Sequence, residues 1–197
     1  MKKMTPRNFL TFTISGAAVL VLATGCGTTH KAEAPTQSGF LQTYRHLEKV
    51  DDSTYRYVNA ERLPRYKRFH VFPVKVLATQ FKDHPLTPDQ TQKISEFVGK
   101  AIANALSDRY PIVTDPGADV GEIHVAITKA YKLGNQVGYS MEGEILDSYS
   151  NVQVAAVRRS EIGEARLGDW WEGPTFKGMI EAWAKRVRQA LDQVNAK

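Results

Sequence analysis

The sequence contains very little cysteine, since Cys26 is the single one among 197 residues. The folded protein therefore cannot form a disulfide within its chain, and its stability has to come from a packed core. Long apolar runs are also missing. The run from Phe9 to Ala23 is shorter than the roughly 20 residues of a membrane-spanning helix and is interrupted by hydroxyl side chains. These absences exclude a disulfide-stapled scaffold and argue against a transmembrane anchor.

Sequence motifs of the common catalytic and nucleotide-binding sites are missing as well. The chain has no Gly-x-Ser-x-Gly elbow, no Gly-x-Gly-x-x-Gly loop and no Walker loop. Its five histidines include no pair at the spacing of a helical metal site, and no further ligands group with them. His70 and His124 fall on predicted strands and could meet, although ordinary sheet histidines are the simpler interpretation. The sequence thus predicts no catalytic residue, no metal and no cofactor.

The first 25 residues have the organisation of a signal peptide. Basic residues (Lys2, Lys3 and Arg7) precede the apolar run, and small residues follow it directly before Cys26. The segment Ala23-Thr-Gly-Cys26 resembles the lipobox of bacterial lipoproteins, although Leu is commonest at the place that Ala23 occupies. The resemblance implies cleavage before Cys26 and acylation of that residue with chains such as palmitate, so that lipid tethers the protein to a membrane. The alternative is an unmodified cysteine behind an ordinary secretory signal.

Removal of residues 1–25 changes the charge of the chain. The sequence has 26 basic and 21 acidic residues, and three basic ones belong to the signal, which leaves 23 against 21 and a net charge of +2. This small net charge argues against a broad basic surface that binds nucleic acid. Gly27, rather than Asp, follows the cysteine. This resembles the pattern that sorts lipoproteins to the outer membrane facing the periplasm.

The segment between the anchor and the domain divides into two parts. Residues 26–38 contain nothing to bury and are predicted to form a flexible tether. Residues 39–67 bring aromatic side chains among charges of both signs without a sustained period, which predicts an irregular arm packed on the domain. From Tyr44 to Arg68 this arm carries seven basic and four acidic residues. Anionic lipid or glycan is one partner for this strip, but ordinary surface charge is the favoured interpretation.

Two helices are predicted in the remaining chain. Thr87 and Gln90 form a capping box around Pro88, so the first helix is expected to begin there and to run to about Ser107. The second is expected from about Pro174 to Val194. In both, apolar residues recur at helical spacing along one stripe, so each helix must pack on a sheet or on another helix.

Strands fill the rest of the predicted domain, residues 68–197. Arg68–Leu77 is rich in β-formers, and its Pro73 favours an edge position or a bulge. A short run at Tyr110–Val113 is followed by three longer strand candidates, namely Glu122–Tyr131, Tyr139–Leu146 and Val152–Arg159. This order of elements predicts an α+β fold, with a mostly antiparallel sheet of four to five strands and both helices on one face.

Several segments resemble a family of uncharacterised bacterial lipoproteins known as domain of unknown function 3313. Besides the lipobox cysteine, they are Ser38-Gly-Phe-Leu-Gln-Thr-Tyr44 with Leu47, Arg56-Tyr-Val-Asn59, Tyr139 to Asp147, Ala155 to Arg159 and the Trp-containing final helix. The resemblance covers nearly the whole mature chain and implies export and lipidation. It transfers no catalytic residue, because the family supplies no activity. The order of elements is also similar to that of periplasmic accessory domains of envelope secretion systems, a likeness of fold alone.

Glu142 and Glu144 are the candidates for acid and base chemistry. They stand two residues apart on a predicted strand, so both carboxylates share a face at a separation of about 7 Å. Such a pair could serve a periplasmic hydrolase. The favoured interpretation is a solvated sheet face, with Arg158 or Arg159 of the neighbouring strand as a cross-strand partner.

Trp170, Trp171 and Phe176 are the candidate residues for contact with a partner. Adjacent tryptophans in a loop bounded by Gly168 and Gly173 cannot easily both face a core, so one of them could be exposed. The alternative is a loop that caps the sheet with both rings packed. Together with the predicted anchor, these features favour a non-enzymatic envelope lipoprotein that contacts an envelope protein or a cell-wall polymer, with the hydrolase as the alternative.

Overall fold

The computed structural model describes residues 34–196 except 79, 82–83, 134–135 and 165–170. The predicted signal peptide, residues 1–25, and the predicted lipidation site Cys26 lie outside the described residues, as does most of the predicted tether. Within the described part of the chain, no helix is both long enough and apolar enough to cross a membrane.

The described residues form two α-helices and nine β-strands, so the predicted α+β class is confirmed. The helices are α1 (Pro88–Leu106) and α2 (Pro174–Asn195), and a short 3-10 helix spans Leu63–Arg65. The strands are β1 (Glu48–Asp51), β2 (Thr54–Val58), β3 (Arg68–Val71), β4 (Lys75–Val76), β5 (Gln80–Phe81), β6 (His84–Pro85), β7 (Val120–Leu133), β8 (Gln136–Asp147) and β9 (Gln153–Glu164).

Seven of these strands build one sheet, in the order β1-β2-β9-β8-β7-β3, with β4 also paired to β7. The pairs from β1 through to β7 are antiparallel, whereas β3 and β4 run parallel to β7. The sheet is therefore mostly antiparallel, as predicted, but it has more strands than the expected four to five. The strand predicted around Pro73 is split there into β3 and β4, because proline cannot donate a ladder hydrogen bond.

The capping box at the start of α1 is present as predicted. The backbone N–H of Gln90 donates to Thr87 Oγ1 at 3.2 Å, and the backbone N–H of Thr87 donates to Gln90 Oε1 at 2.9 Å. The buried stripe of this helix consists of Ile94, Val98, Ile102 and Leu106. The Ser95 hydroxyl donates to the Val74 carbonyl at 2.7 Å and so joins α1 to the chain just before β4.

The three long strands β7, β8 and β9 have two different faces. Val125, Gly143 and Val157 stand side by side across them. A Cβ atom added at Gly143 would lie 3.4 Å from the Trp183 ring of α2, so this face is the one that the helices cover. The predicted alternation of β7 holds as far as Ile127, after which a bulge shifts the register.

Residues 48–58 differ from the expectation of an irregular arm. They form the hairpin β1–β2, and β2 pairs with β9 from Thr54 opposite Arg159 to Val58 opposite Ala155. Each strand is short and contains charged residues, so neither shows the alternation of a β-strand in the sequence. The pairing of β2 with β9 holds this segment in the extended conformation. Asn59 follows β2, and its side-chain oxygen accepts the N–H groups of the next turn.

Candidate functional site

Glu142 lies at the centre of a hydrogen-bond network on the sheet face opposite the helices. Although it is a carboxylic acid, it is 0% exposed. The backbone N–H of Ser38 donates to Oε1 at 3.1 Å, and the Ser38 hydroxyl donates to Oε2 at 2.7 Å. The Tyr44 hydroxyl also donates to Oε2, at 2.6 Å. Both oxygens are therefore satisfied by groups that are 98 and 104 residues away along the chain.

Residues 38–44, which we name the latch, have the conformation that these contacts require. Gly39 has a φ of +83°, in the left-handed region that side chains disfavour. The Tyr44 hydroxyl accepts hydrogen bonds from the N–H groups of Gly39 at 2.9 Å and Leu41 at 3.3 Å. Leu41 itself is 4% exposed. The latch therefore closes around the same hydroxyl that binds the buried carboxylate.

Glu144 is held both by the latch and by β9. It is 7% exposed, and its Oε2 accepts the Gln42 N–H at 2.9 Å and the Gln153 side-chain amide at 2.7 Å. The Gln153 amide also donates to the Thr43 carbonyl at 3.1 Å. The Gln42 side-chain amide donates to the Asn151 carbonyl at 2.7 Å. The latch is thus attached to β8, to β9 and to the turn between them.

These contacts correct the predicted environment of the glutamate pair. We expected a solvated face, whereas the latch excludes water from both carboxylates. Arg158 does stand opposite Glu142 in the register, but its guanidinium lies 4.4 Å from the centre of the Tyr55 ring. A general acid and a general base must reach substrate and water. The geometry of Glu142 and Glu144 therefore gives no support to a hydrolase.

A further, partly buried contact supports the turn to which the Gln42 side chain of the latch is bonded. The Tyr66 hydroxyl donates to Asp147 Oδ2 at 2.7 Å. Burial, together with this carboxylate, raises the pKa of Tyr66 to about 12. Burial alone would raise the pKa of Asp147, but hydrogen bonds from Ser150 and Tyr66 lower it to about 2. Because Asp147 Oδ1 accepts the N–H groups of Tyr149 and Ser150, one carboxylate orders the whole turn.

His70 and His124 both pack on the ring of Phe72. The centroid of the Phe72 ring lies 4.2 Å from that of each imidazole, tilted against His70 and stacked on His124. His124 Nε2 also lies 3.4 Å from Glu122 Oε2. Both imidazoles thus take part in aromatic packing, as expected for ordinary histidines of a sheet. Over the residues that the structure describes, no group of three or more His, Cys, Asp or Glu side chains could hold a metal.

Trp171 and Phe176, two of the candidate contact residues, lie in the core. Phe176 is 0% exposed and Trp171 is 8% exposed. The Phe176 ring packs on Tyr139 at 5.0 Å and on Phe97 at 6.1 Å between centroids. In this conformation both side chains present little surface to a partner. Trp170 lies outside the described residues, and contact of this loop with a partner stays a prediction.

The latch belongs to a region that matches a sequence family. The model of the family described as protein of unknown function (DUF3313) matches residues 36–139, which is more than half of the chain. The chain belongs to this family. The matched DUF3313 region includes all of the latch and ends within β8, just before Glu142. The comparison with curated proteins found no match.

Solved structures similar to this member of the DUF3313 family come from several bacteria. The PelC dodecamer from Paraburkholderia phytofirmans is 12% identical with a TM-score of 0.47, over 71% of this chain and 96% of that chain. Protein XCC0632 from Xanthomonas campestris, of the DUF330 family, is 10% identical with a TM-score of 0.43, over 66% and 82%. Lipoprotein GNA1162 from Neisseria meningitidis is 12% identical with a TM-score of 0.37, over 66% and 99%. At these identities the likeness concerns the fold alone.

The latch is the feature of this DUF3313 protein that sequence analysis missed. Both Ser38–Tyr44 and Tyr139–Asp147 carried the family resemblance, but nothing in the sequence shows that they meet. In the paired sheet, Glu142 stands between Ala126 and Arg158, and Glu144 stands between His124 and Ala156. This mixture of small and charged neighbours does not mark a buried face, so the sequence offers no signal for the donors that the buried carboxylates need.

Proposed function

We propose that this protein is a non-enzymatic lipoprotein of the bacterial cell envelope, held beside a membrane by acyl chains on Cys26. Its α+β domain would contact an envelope protein or a cell-wall polymer. The observation that carries the proposal is the latch. The segment of described chain nearest to Cys26 is built into the domain, so an anchor at that cysteine holds the folded body and not merely a loose terminus.

The latch limits how far the domain can move from the anchor. Cys26 and Ser38 are 12 residues apart. An extended chain spans at most 3.3–3.6 Å per residue, so Ser38 lies within about 40 Å of the bilayer surface. This distance suits a protein that acts on partners at the membrane surface, and Gly27 favours the outer membrane facing the periplasm.

The state of the glutamate pair supports a non-enzymatic role. The latch covers the side chains of both Glu142 and Glu144. Glu142 accepts three hydrogen bonds from Ser38 and Tyr44. A catalytic carboxylate would have to give up this network before it could bind substrate. Burial of these acids therefore serves to fix the N-terminal segment.

Metabolic labelling with palmitate tests the anchor directly. The wild-type chain and Cys26→Ser would be expressed in the same cells, labelled and separated into membrane and soluble fractions. We expect label and membrane sedimentation for the wild type only. Equal sedimentation of both chains, with label in neither, would contradict the proposal.

Crosslinking in living cells tests the partner. A photo-reactive residue at Tyr149, which is 70% exposed, samples the turn beside the latch, and one at Val50, which is 53% exposed, samples the edge strand β1. A dominant envelope neighbour that disappears with Cys26→Ser supports the proposed role. Weak, non-selective crosslinks at both positions argue against a specific partner.

A further inference from the structure

The helix-covered face of the sheet contains a groove beside α2. Trp183 of α2 lies over β8, and the hairpin β1–β2 extends the sheet past this helix. The groove runs between α2 and the outer strands β2 and β9, and the 3-10 helix closes one end through Leu63. It lies on the opposite side of the sheet from the latch.

The inside of this groove is apolar and of a defined size. Val58 and Leu63 line it near the closed end, Ile145 forms its floor, and Val187 and Leu191 of α2 form its wall. Its volume is about 160 Å³. An apolar cavity of about 150 Å³ holds a benzene-sized molecule, so this groove has room for about six carbon atoms.

Basic side chains gather at the other end of the groove. Arg56, Arg159 and Arg186 line it there, on β2, β9 and α2. Arg159 donates to Thr54 Oγ1 at 2.6 Å, and both Arg159 and Arg186 contact the one carboxylate of Glu161.

The basic end has hydrogen-bonding capacity left for an anion. Among the described residues, three carboxylates lie near these three guanidinium groups: Glu161, Glu48 opposite Arg56 in the register, and Asp51, whose pKa is lowered by hydrogen bonds within its own turn and also by the charge of Arg159. The capacity for an anion therefore comes from unused N–H donors rather than from an excess of positive charge. Arg186 Nε is buried and has no acceptor within the described part of the chain. An unpaired buried N–H of a charged group is costly, and an anionic oxygen at this place would satisfy it.

We propose that the α2 groove binds a single acyl chain that carries an anionic head group. The chain would lie against the apolar wall, and the head group would lie between Arg56 and Arg186. One chain fits the volume, whereas two chains side by side do not. The N–H of the Arg186 guanidinium for which no described residue is an acceptor selects an anionic group over a cation or a neutral alcohol. This binding does not depend on acylation of Cys26, so it can fail or succeed independently of the proposed function.

Calorimetric titration with defined amphiphiles tests the proposal. The protein would be the chain from Gly27 onward, since the core extends from Leu41 to Leu191 and lies wholly within it. The probes are butanoate, hexanoate, octanoate and decanoate, with octylamine and octanol as head-group controls. Affinity should rise about fourfold per added methylene until about six carbons are buried and then level off. Octylamine should bind at least tenfold more weakly than octanoate.

Variants show whether binding takes place in the groove. Ala190→Phe places a ring in the groove and should abolish octanoate binding. Arg186→Gln should weaken it about three- to fivefold, because a partly exposed charge contributes modestly. Lys185→Gln, the exposed neighbour on the same helix, is the matched control and should bind like the wild type. Circular dichroism and thermal melting confirm that each variant is folded.

Three results would overturn the proposal. The first is equal affinity for octanoate and octylamine, since the arginine rim would then have no role. The second is octanoate binding that persists in folded Ala190→Phe. The third is a wild-type protein that is dimeric, does not bind octanoate and becomes monomeric in Ala190→Phe. A second copy of the chain, and not an acyl chain, would then cover the groove. If Ala190→Phe does not fold, two comparisons still test the proposal. They are the octanoate affinities of Arg186→Gln and Lys185→Gln, and the wild-type affinities for octanoate, octylamine and octanol.

Discussion

The two faces of the central sheet are buried by different physical means. On the helix side, α1 and α2 cover apolar strand side chains such as Ile123 and Val125, which are 3% and 2% exposed. On the other side, the latch covers two carboxylates, and Glu142 is buried only because donors lie within 3.1 Å of its oxygens. Apolar burial has no direction, whereas buried charge requires particular partners. The helix side should therefore respond to lost volume and the latch side to lost hydrogen bonds.

The largest expected effect is on the helix side. Phe176→Ala removes a fully buried ring between Tyr139 and Phe97, and it should lower the free energy of unfolding by about 3–5 kcal/mol. Urea denaturation followed by circular dichroism measures this loss. Phe176→Leu keeps most of the volume and should lose clearly less. Equal losses in both variants would mean that volume is not what this position contributes.

Glu142→Ala should come next in size. It leaves the donors of Ser38 and Tyr44 unpaired at a buried position and should cost about 2–4 kcal/mol of unfolding free energy. It should also release the latch, which limited proteolysis detects as faster cleavage at residues 38–44. Glu164→Ala, at the exposed end of β9, is the control and should change neither quantity. Undiminished protection of the latch in folded Glu142→Ala would show that other contacts hold it.

Tyr44→Phe sharpens the comparison by removing a single oxygen. The hydroxyl donates to Glu142 and accepts the N–H groups of Gly39 and Leu41, so its loss should cost about 1–2 kcal/mol of unfolding free energy. Tyr149→Phe removes a hydroxyl from a side chain that is 70% exposed and should cost nearly nothing. The same denaturation experiment compares the two variants, and equal stabilities would contradict the role given to Tyr44.

The smallest effect concerns acid stability at the turn beside the latch. The pKa of Asp147 is about 2 in the fold, below its ordinary value of 3.8. Its contribution is therefore present above about pH 4 and lost as the pH falls toward 2. After allowance for partial exposure we expect about 1 kcal/mol. The unfolding free energies of the wild type and Asp147→Asn should converge between about pH 5 and pH 2; a constant difference would contradict this assignment.

The elements that the sequence predicted correctly are those with local signals. The capping box at Thr87 and Gln90, the apolar stripes of both helices and the edge position of the strand before Pro73 all depend on residues that are close together in the chain. Hydrogen bonds within one turn and a repeat of 3.6 residues do not need the rest of the molecule. The alternation of Ile123, Val125 and Ile127 indicated one covered face for the same reason.

The elements that the sequence did not predict depend on distant partners. The hairpin β1–β2 exists because β2 pairs with β9, about 100 residues later, from Thr54 opposite Arg159 onward. The bulge after Ile127 arises from the pairing of β7 with β8, and no residue pattern in the sequence predicts it. The solvated face expected for Glu142 was wrong because no local pattern distinguishes a buried acid from an exposed one.

The sequence by itself determined the α+β class, the predicted export signal with its single cysteine, and the positions of both helices. Periodicity, capping residues and composition act over a few residues and can be read along the chain. The tertiary structure alone decided that Ser38 and Tyr44 meet Glu142 and that α2 leaves a groove beside β2. The donors and the acceptor of the latch network come from segments far apart in the chain, as do the wall and the floor of the groove. Only folding brings these segments into contact.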